Sequence, residues 1–151
     1  MNEQVTQFAT WYGDGHDGSC PNVDQWQNIL ERPSDSEITL INFFKLREMA
    51  DYTKTVSIDG APGATGQDAF NSYAEVSIPT MERAGGSFLF VGAFGGMFLG
   101  AEEDWDVIAI GSYPNLQALV ALYADPGYRN AFGHRTAACE RQKVLIGNAM
   151  A

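Results

Sequence analysis

The chain has two cysteines, Cys20 and Cys139, and two histidines, and no pair of them stands at a metal-ligand or CxxC spacing. That excludes dithiol redox chemistry and a zinc ribbon. Cations are also scarce: nine Lys and Arg against 19 Asp and Glu give a formal charge of −10. An acidic surface repels phosphate backbones, so neither nucleic acid nor an anionic membrane is an expected partner. No GxSxG or Walker motif occurs. The opening MNEQVTQFATWYGDG lacks a basic region followed by an apolar one. A cytoplasmic location and free thiols are therefore expected.

Charge is missing altogether from Ala84 to Ala101, eighteen residues with a GxxxG pattern through Gly92, Gly96 and Gly100. A membrane span would fit the length. Six glycines, no basic flank and Glu102-Glu103-Asp104 immediately afterwards argue instead for a buried strand bent at Gly95-Gly96. Gly13 to Gly18 holds Asp14, His16 and Asp17 but lacks the ligand alternation and terminal Glu of a calcium loop, so no metal is expected.

What is present is a globular balance, 45% hydrophobic and 19% charged over 151 residues. That is one domain's worth of chain, able to bury about two thirds of its unfolded surface. The acids are concentrated before residue 115; beyond it Arg129, Arg135, Arg141 and Lys143 outnumber Asp125 and Glu140, enough to receive one small anion.

Residues 1–20, broken by Gly13, Gly15 and Gly18, read as a flexible arm, and 21–151 as a single domain. Asn22 and Gln25 form a capping box for a short helix carrying Trp26, Ile29 and Leu30. Ile38 to Leu46 reads as a strand with both faces apolar, hence covered on both. A helix over 67–84, interrupted or kinked at Pro79, precedes strands at 88–99 and 105–113. Helices beginning near Leu116 and at Tyr128, and a strand from Val144 to Gly147, complete the order. The result is an α+β, ferredoxin-like βαββαβ domain with an extra N-terminal helix and a four-stranded antiparallel sheet. One face of that sheet takes the helices; the other needs a cover, most simply a second copy of the chain.

Two polar residues interrupt apolar stripes. Arg135 shares a helix stripe with Tyr128, Ala131, Phe132 and Cys139. A guanidinium there needs a fixed carboxylate, for which Asp106 is a candidate, or a bound anion. His134 lies at the stripe's edge, suited to acid or base work near neutral pH. Asn42 stands among Leu40, Phe44 and Leu46, where its amide needs partners or a ligand to orient. Lys45 and Arg47 leave the strand's end, and Tyr73 and Trp105 read first as packing residues.

The run Trp105-Asp106, Tyr113-Pro114, Asp125-Pro126-x-Tyr128 and His134-Arg135-Thr136-Ala137-Ala138 resembles the bacterial domain-of-unknown-function 1330 family. Ile41 to Arg47 with Tyr52, and Gly66 to Tyr73 before Gly85-Gly86, resemble its first half, so the likeness spans about residues 21–148. The resemblance implies a dimeric α+β barrel, and it points to Asn42, Arg47, Tyr73, Trp105, Asp106, His134 and Arg135 as the polar residues that match. The glycine-rich 92–100 stretch and the first twenty residues depart from the pattern.

These readings converge on a small-molecule-binding homodimer without cofactor, in which Arg135 grips an anionic metabolite and His134 exchanges a proton. Asn42, Arg47, Tyr73, Trp105 and Asp106 would complete the site. One alternative is a non-catalytic accessory protein whose polar groups form structural ion pairs. Another is a haem-dependent or cofactor-free oxygenase, as in superfamilies that share the architecture.

Overall fold

A computed structural model describes residues 2–55 and 58–150. Its elements in chain order are α1 (Glu3–Tyr12), α2 (Val23–Leu30), β1 (Ile38–Leu46), α3 (Gly66–Ala84), β2 (Ser87–Ala93), β3 (Val107–Tyr113), α4 (Leu116–Ala124), α5 (Pro126–Ala138) and β4 (Cys139–Gly147). The four strands form one antiparallel sheet in the order β2-β3-β1-β4. From β1 onward this is the βαββαβ order read from the sequence, with α4 and α5 together spanning the second crossover.

Local chemistry sets the helix ends. Asn22 accepts from Gln25 N and the Gln25 side chain accepts from Asn22 N, the reciprocal cap expected for α2. Thr65 and Asp68 do the same for α3, which closes at Gly85, φ +106°. Asp125 caps α5, whose first residue is Pro126. Pro79 lies within α3, which runs unbroken from Gly66 to Ala84, so of the two outcomes expected the interruption does not occur. The Glu75 carbonyl loses its donor there, and packing along the helix offsets that loss.

The first twenty residues are not a loose arm. Residues 3–12 form α1, capped by Asn2, with Val5 and Phe8 buried at 0% and 1% exposure. Val5, Phe8 and Tyr12 recur at helical spacing, and all three breaking glycines come after them. Phe8 stacks on Trp26 at 4.6 Å and Tyr12 meets Phe132 edge-on at 5.0 Å, so α1 and α2 close one end of the core. The Tyr12 hydroxyl donates to the Tyr123 carbonyl at 2.7 Å.

The sheet has two unlike faces. Ile38, Leu40 and Phe44 of β1 belong to the core with Tyr73, Met81, Leu119 and Phe132, whereas Ile41 and Phe43 belong to no core cluster. The helices therefore cover one face only. The uncharged stretch from Ala84 is neither a span nor a long buried strand: β2 stops at Ala93, and residues 94–106 form a connection with Phe98 and Leu99 exposed. Among the described residues no helix is long and apolar enough to cross a membrane.

Candidate functional site

α5 runs beneath the sheet and aims Arg135 at its covered face, where the side chain is 4% exposed. Nε donates to Gln142 Oε1 at 2.8 Å and Nη1 to the Tyr73 hydroxyl at 3.1 Å. That hydroxyl is also 2.7 Å from the Tyr128 hydroxyl. The guanidinium carbon stands 4.8 Å from the Phe44 ring centroid, 5.1 Å from Phe132 and 5.6 Å from Tyr73. Among the described residues no carboxylate lies within 4.0 Å of it. Nη2 makes no well-formed hydrogen bond within 3.5 Å among them, although the Tyr123 phenol also interacts with the guanidinium. Burial opposes its charge, the phenolic oxygens of Tyr73, Tyr123 and Tyr128 favour it, and the group remains a cation. Burial pushes the Tyr128 phenol well above its ordinary value and the Cys139 thiol up to about 11.

Arg135 forms part of the wall of a cavity of about 360 Å³. Its apolar lining includes Leu40, Val144 and Ile146 of the sheet, Phe132 of α5 and Trp26 of α2. The loop 13–22 crosses this cavity as a strap, tied by Gln142 Nε2 donating to the Ser19 carbonyl at 3.4 Å. Gly15, at φ +74°, is a corner of the strap; a Cβ there would fall 2.7 Å from Asn22 N and from Cys20 O. A second void of about 70 Å³ lies beside the guanidinium and touches Asn42 and Tyr73. Asn42 donates to the Ala109 carbonyl at 2.9 Å and the Leu40 carbonyl at 3.4 Å, satisfying both amide protons.

The seven residues singled out in the sequence occupy several places. Arg135 and Tyr73 are hydrogen-bonded in the interior, and the half-buried Asn42 borders the same small void. Asp106 does not pair with Arg135: its Oδ2 accepts from Leu46 N at 2.7 Å and its Oδ1 lies 3.6 Å from Lys45 Nζ. Its carboxylate is taken up by the Leu46 amide and Lys45, which projects to the sheet face opposite the one that carries Phe44 and Arg135, so the ion pair expected from charge alone is not formed. Trp105 lies on the uncovered face against Phe43, ring centroids 5.7 Å apart, and donates to Glu103 at 2.7 Å. Arg47 follows β1, its amide donating to the Ala138 carbonyl at 2.8 Å while its Nε is buried without a partner among the described residues.

His134 points away from Arg135, as a 100° step around α5 requires. Its Nδ1 is 2.7 Å from the Tyr52 hydroxyl, and it borders a separate crevice of about 240 Å³ with Asp59, Asp68 and Ser72. Burial lowers its pKa, favouring the neutral ring. Gln142, a direct partner of Arg135, was not anticipated from the sequence. Strand β4 starts at Cys139 rather than Val144, and with that start Gln142, Val144 and Ile146 alternate onto one face beside Phe44, Asn42 and Leu40. Among the described residues no group of three or more His, Cys, Asp or Glu could hold a metal ion.

A ferredoxin-like sheet with a buried guanidinium under α5 is thus the class to which the chain conforms. Residues 63–149, from the loop before α3 to the end of β4, match the family described as a domain of unknown function, DUF1330, and the chain belongs to that family. It is similar to the crystal structure of RPA0582, a protein of unknown function from Rhodopseudomonas palustris, at 29% identity and a TM-score of 0.76. The likeness covers 87% of this chain and 96% of that one. The methylated form of RPA0582 gives the same identity and TM-score over 94% of its chain. No curated protein matches the chain.

Proposed function

We propose that the chain is a small-molecule-binding protein acting as a homodimer, in which Arg135 anchors the carboxylate of a metabolite whose apolar body fills the cavity under the strap. One observation carries this reading: a guanidinium 4% exposed has only neutral partners. Removing an ion from water costs several kcal/mol unless an opposite charge offsets it. A carboxylate would offset it, with a charge-assisted bond to the open Nη2. The apolar wall formed by Trp26, Phe132, Leu40 and Val144 favours a ligand with one anionic end over a densely charged one.

Binding is better supported than acid–base catalysis at this anion. His134 borders a different crevice, and the raised Tyr128 phenol stays protonated at neutral pH, able to donate a hydrogen bond and reluctant to lose its proton. Asn42 and Tyr73 then orient the ligand, while Arg47, Trp105 and Asp106 hold the end of the sheet. The competing reading, an accessory protein whose polar groups serve only one another, draws on the Tyr73 and Gln142 bonds to Arg135.

Thermal-shift and calorimetric titrations with benzoate and hexanoate separate the two. Stabilisation by one of them in the wild type, absent in Arg135→Met, supports the anion site. No response to either acid, or a response that survives Arg135→Met, sinks it.

A further inference from the structure

His134, one step around α5 from Arg135, borders a crevice of about 240 Å³ that the anion site does not use. The residues 58–64 that close it are held to shape. The Thr55 hydroxyl donates to the Ile58 carbonyl at 2.7 Å, Ala64 N to the Ala61 carbonyl at 3.1 Å, and Ala50 N to the Ala64 carbonyl at 3.0 Å. Gly60 lies flat against Tyr52, where a Cβ would fall 2.0 Å from the ring. The Tyr52 hydroxyl in turn is 2.7 Å from His134 Nδ1, with the two rings edge-on. Two exposed acids, Asp59 and Asp68, line the same crevice. Neither comes within 4.0 Å of a nitrogen of His134, and among the described residues His134 Nε2 has no partner.

The Tyr52–His134 bond decides what the crevice offers. A phenol is the stronger proton donor and an imidazole nitrogen the stronger acceptor, so Tyr52 donates to Nδ1 and the ring proton sits on Nε2. Burial acts in the same direction on both partners, keeping the imidazole neutral and the phenol protonated. His134 therefore presents an N–H donor, while Asp59 and Asp68 present acceptors; Asp68 Oδ2 already accepts from Thr65 N at 2.9 Å, which leaves Oδ1. We infer that this crevice is a second binding site, for a small neutral molecule with hydroxyl groups on neighbouring carbons. Such a molecule accepts from His134 Nε2 and donates to Asp59 and Asp68, since each hydroxyl can do both. Other classes suit the set less well. An anion, the ligand proposed for the Arg135 cavity, is repelled by two carboxylates. An ammonium meets the Nε2–H donor to donor. Among the described residues too few ligands converge there for a metal ion.

The chain has two histidines, so the exposed His16 serves as an internal reference for His134 in NMR spectra of the full chain labelled with ¹⁵N-histidine. At neutral pH the ring nitrogens of His134 should report the Nε2–H tautomer. Titration with D-ribose should move its signals along a saturating curve and leave those of His16 in place. The dissociation constant should rise on the order of tenfold in Tyr52→Phe, which frees the tautomer, and by a similar factor in Asp59→Ala. Arg135→Met should leave it unchanged, so this site stands or falls apart from the anion cavity. An Nδ1–H tautomer in the wild type overturns the proposal. So does a ribose response shared equally by His16, or one undiminished in both Tyr52→Phe and Asp59→Ala. A His134 response to ethylammonium chloride and none to ribose overturns it in favour of a cation.

Discussion

The two faces of the sheet carry the same interaction with opposite accounts of the charge. Inside, Arg135 lies over Phe44, Phe132 and Tyr73 with only hydroxyl and amide oxygens as partners. Outside, Arg141 lies 4.8 Å from the Trp105 centroid and Lys143 5.0 Å from that of Phe43, and acids stand beside both. Lys143 meets Glu103, and Arg141 lies 3.7 Å from Glu140 while also donating to the Asp104 carbonyl. Cation–aromatic contact is therefore not what distinguishes the sites. The outer cations are solvated and paired, so little free energy depends on them. The inner one is neither, so its burial costs free energy that its neutral partners only partly offset.

The interior can be broken most severely through the element that closes it. Phe8→Ala removes a ring at 1% exposure and should cost about 3–5 kcal/mol in urea unfolding. A loss comparable to a surface substitution would mean that α1 is dispensable to the core. Next comes the sign of the Arg135 effect. Arg135→Met in the unliganded protein should leave stability unchanged or raise it by up to about 4 kcal/mol, because an unpaired buried cation gives way to an apolar chain of similar length. A fall of that size would show that Tyr73 and Gln142 suffice and that the cation is structural.

A pH titration sharpens the contrast at α5. Burial lowers His134 below its ordinary value near 6.5, so the unfolded chain binds this proton more readily than the folded one. Its contribution is complete above that value and is lost as pH falls below it. Stability should therefore decline between pH 7 and pH 5, above the range where carboxylates titrate. The decline should flatten in His134→Asn, which can still bond to Tyr52; an identical slope in both proteins excludes His134 as its source. The smallest effect belongs to the outer face. Lys143→Ala should move the melting temperature by no more than about 2 °C, with the difference vanishing in 1 M salt.

The helix caps and stripes from Asn22 onward were legible because their signals are local. Asn22 with Gln25, Asp125 with Pro126, and the Tyr128–Phe132–Arg135 stripe each lie within one or two turns of chain. The α1 helix was hidden because the three glycines after it dominate that stretch, although Val5, Phe8 and Tyr12 carry the period. Arg135 as an anomaly was likewise legible, since a cation on a buried stripe is visible in any helical projection. Its partners were not: Asp106 was the natural candidate by charge, and Gln142 lay outside the strand as read.

The sequence alone determined the order of elements, the capping of the helices and the burial of one arginine, because helix and strand periods are set by neighbours three, four or two residues away. Only the tertiary structure decided that His134 and Arg135 border different cavities, that Asp106 serves Lys45 and Leu46, and that the sheet's second face is left open with Phe98 and Leu99 beside it. Those facts depend on strand register and on which face each helix covers, and both are fixed by contacts between residues tens of positions apart.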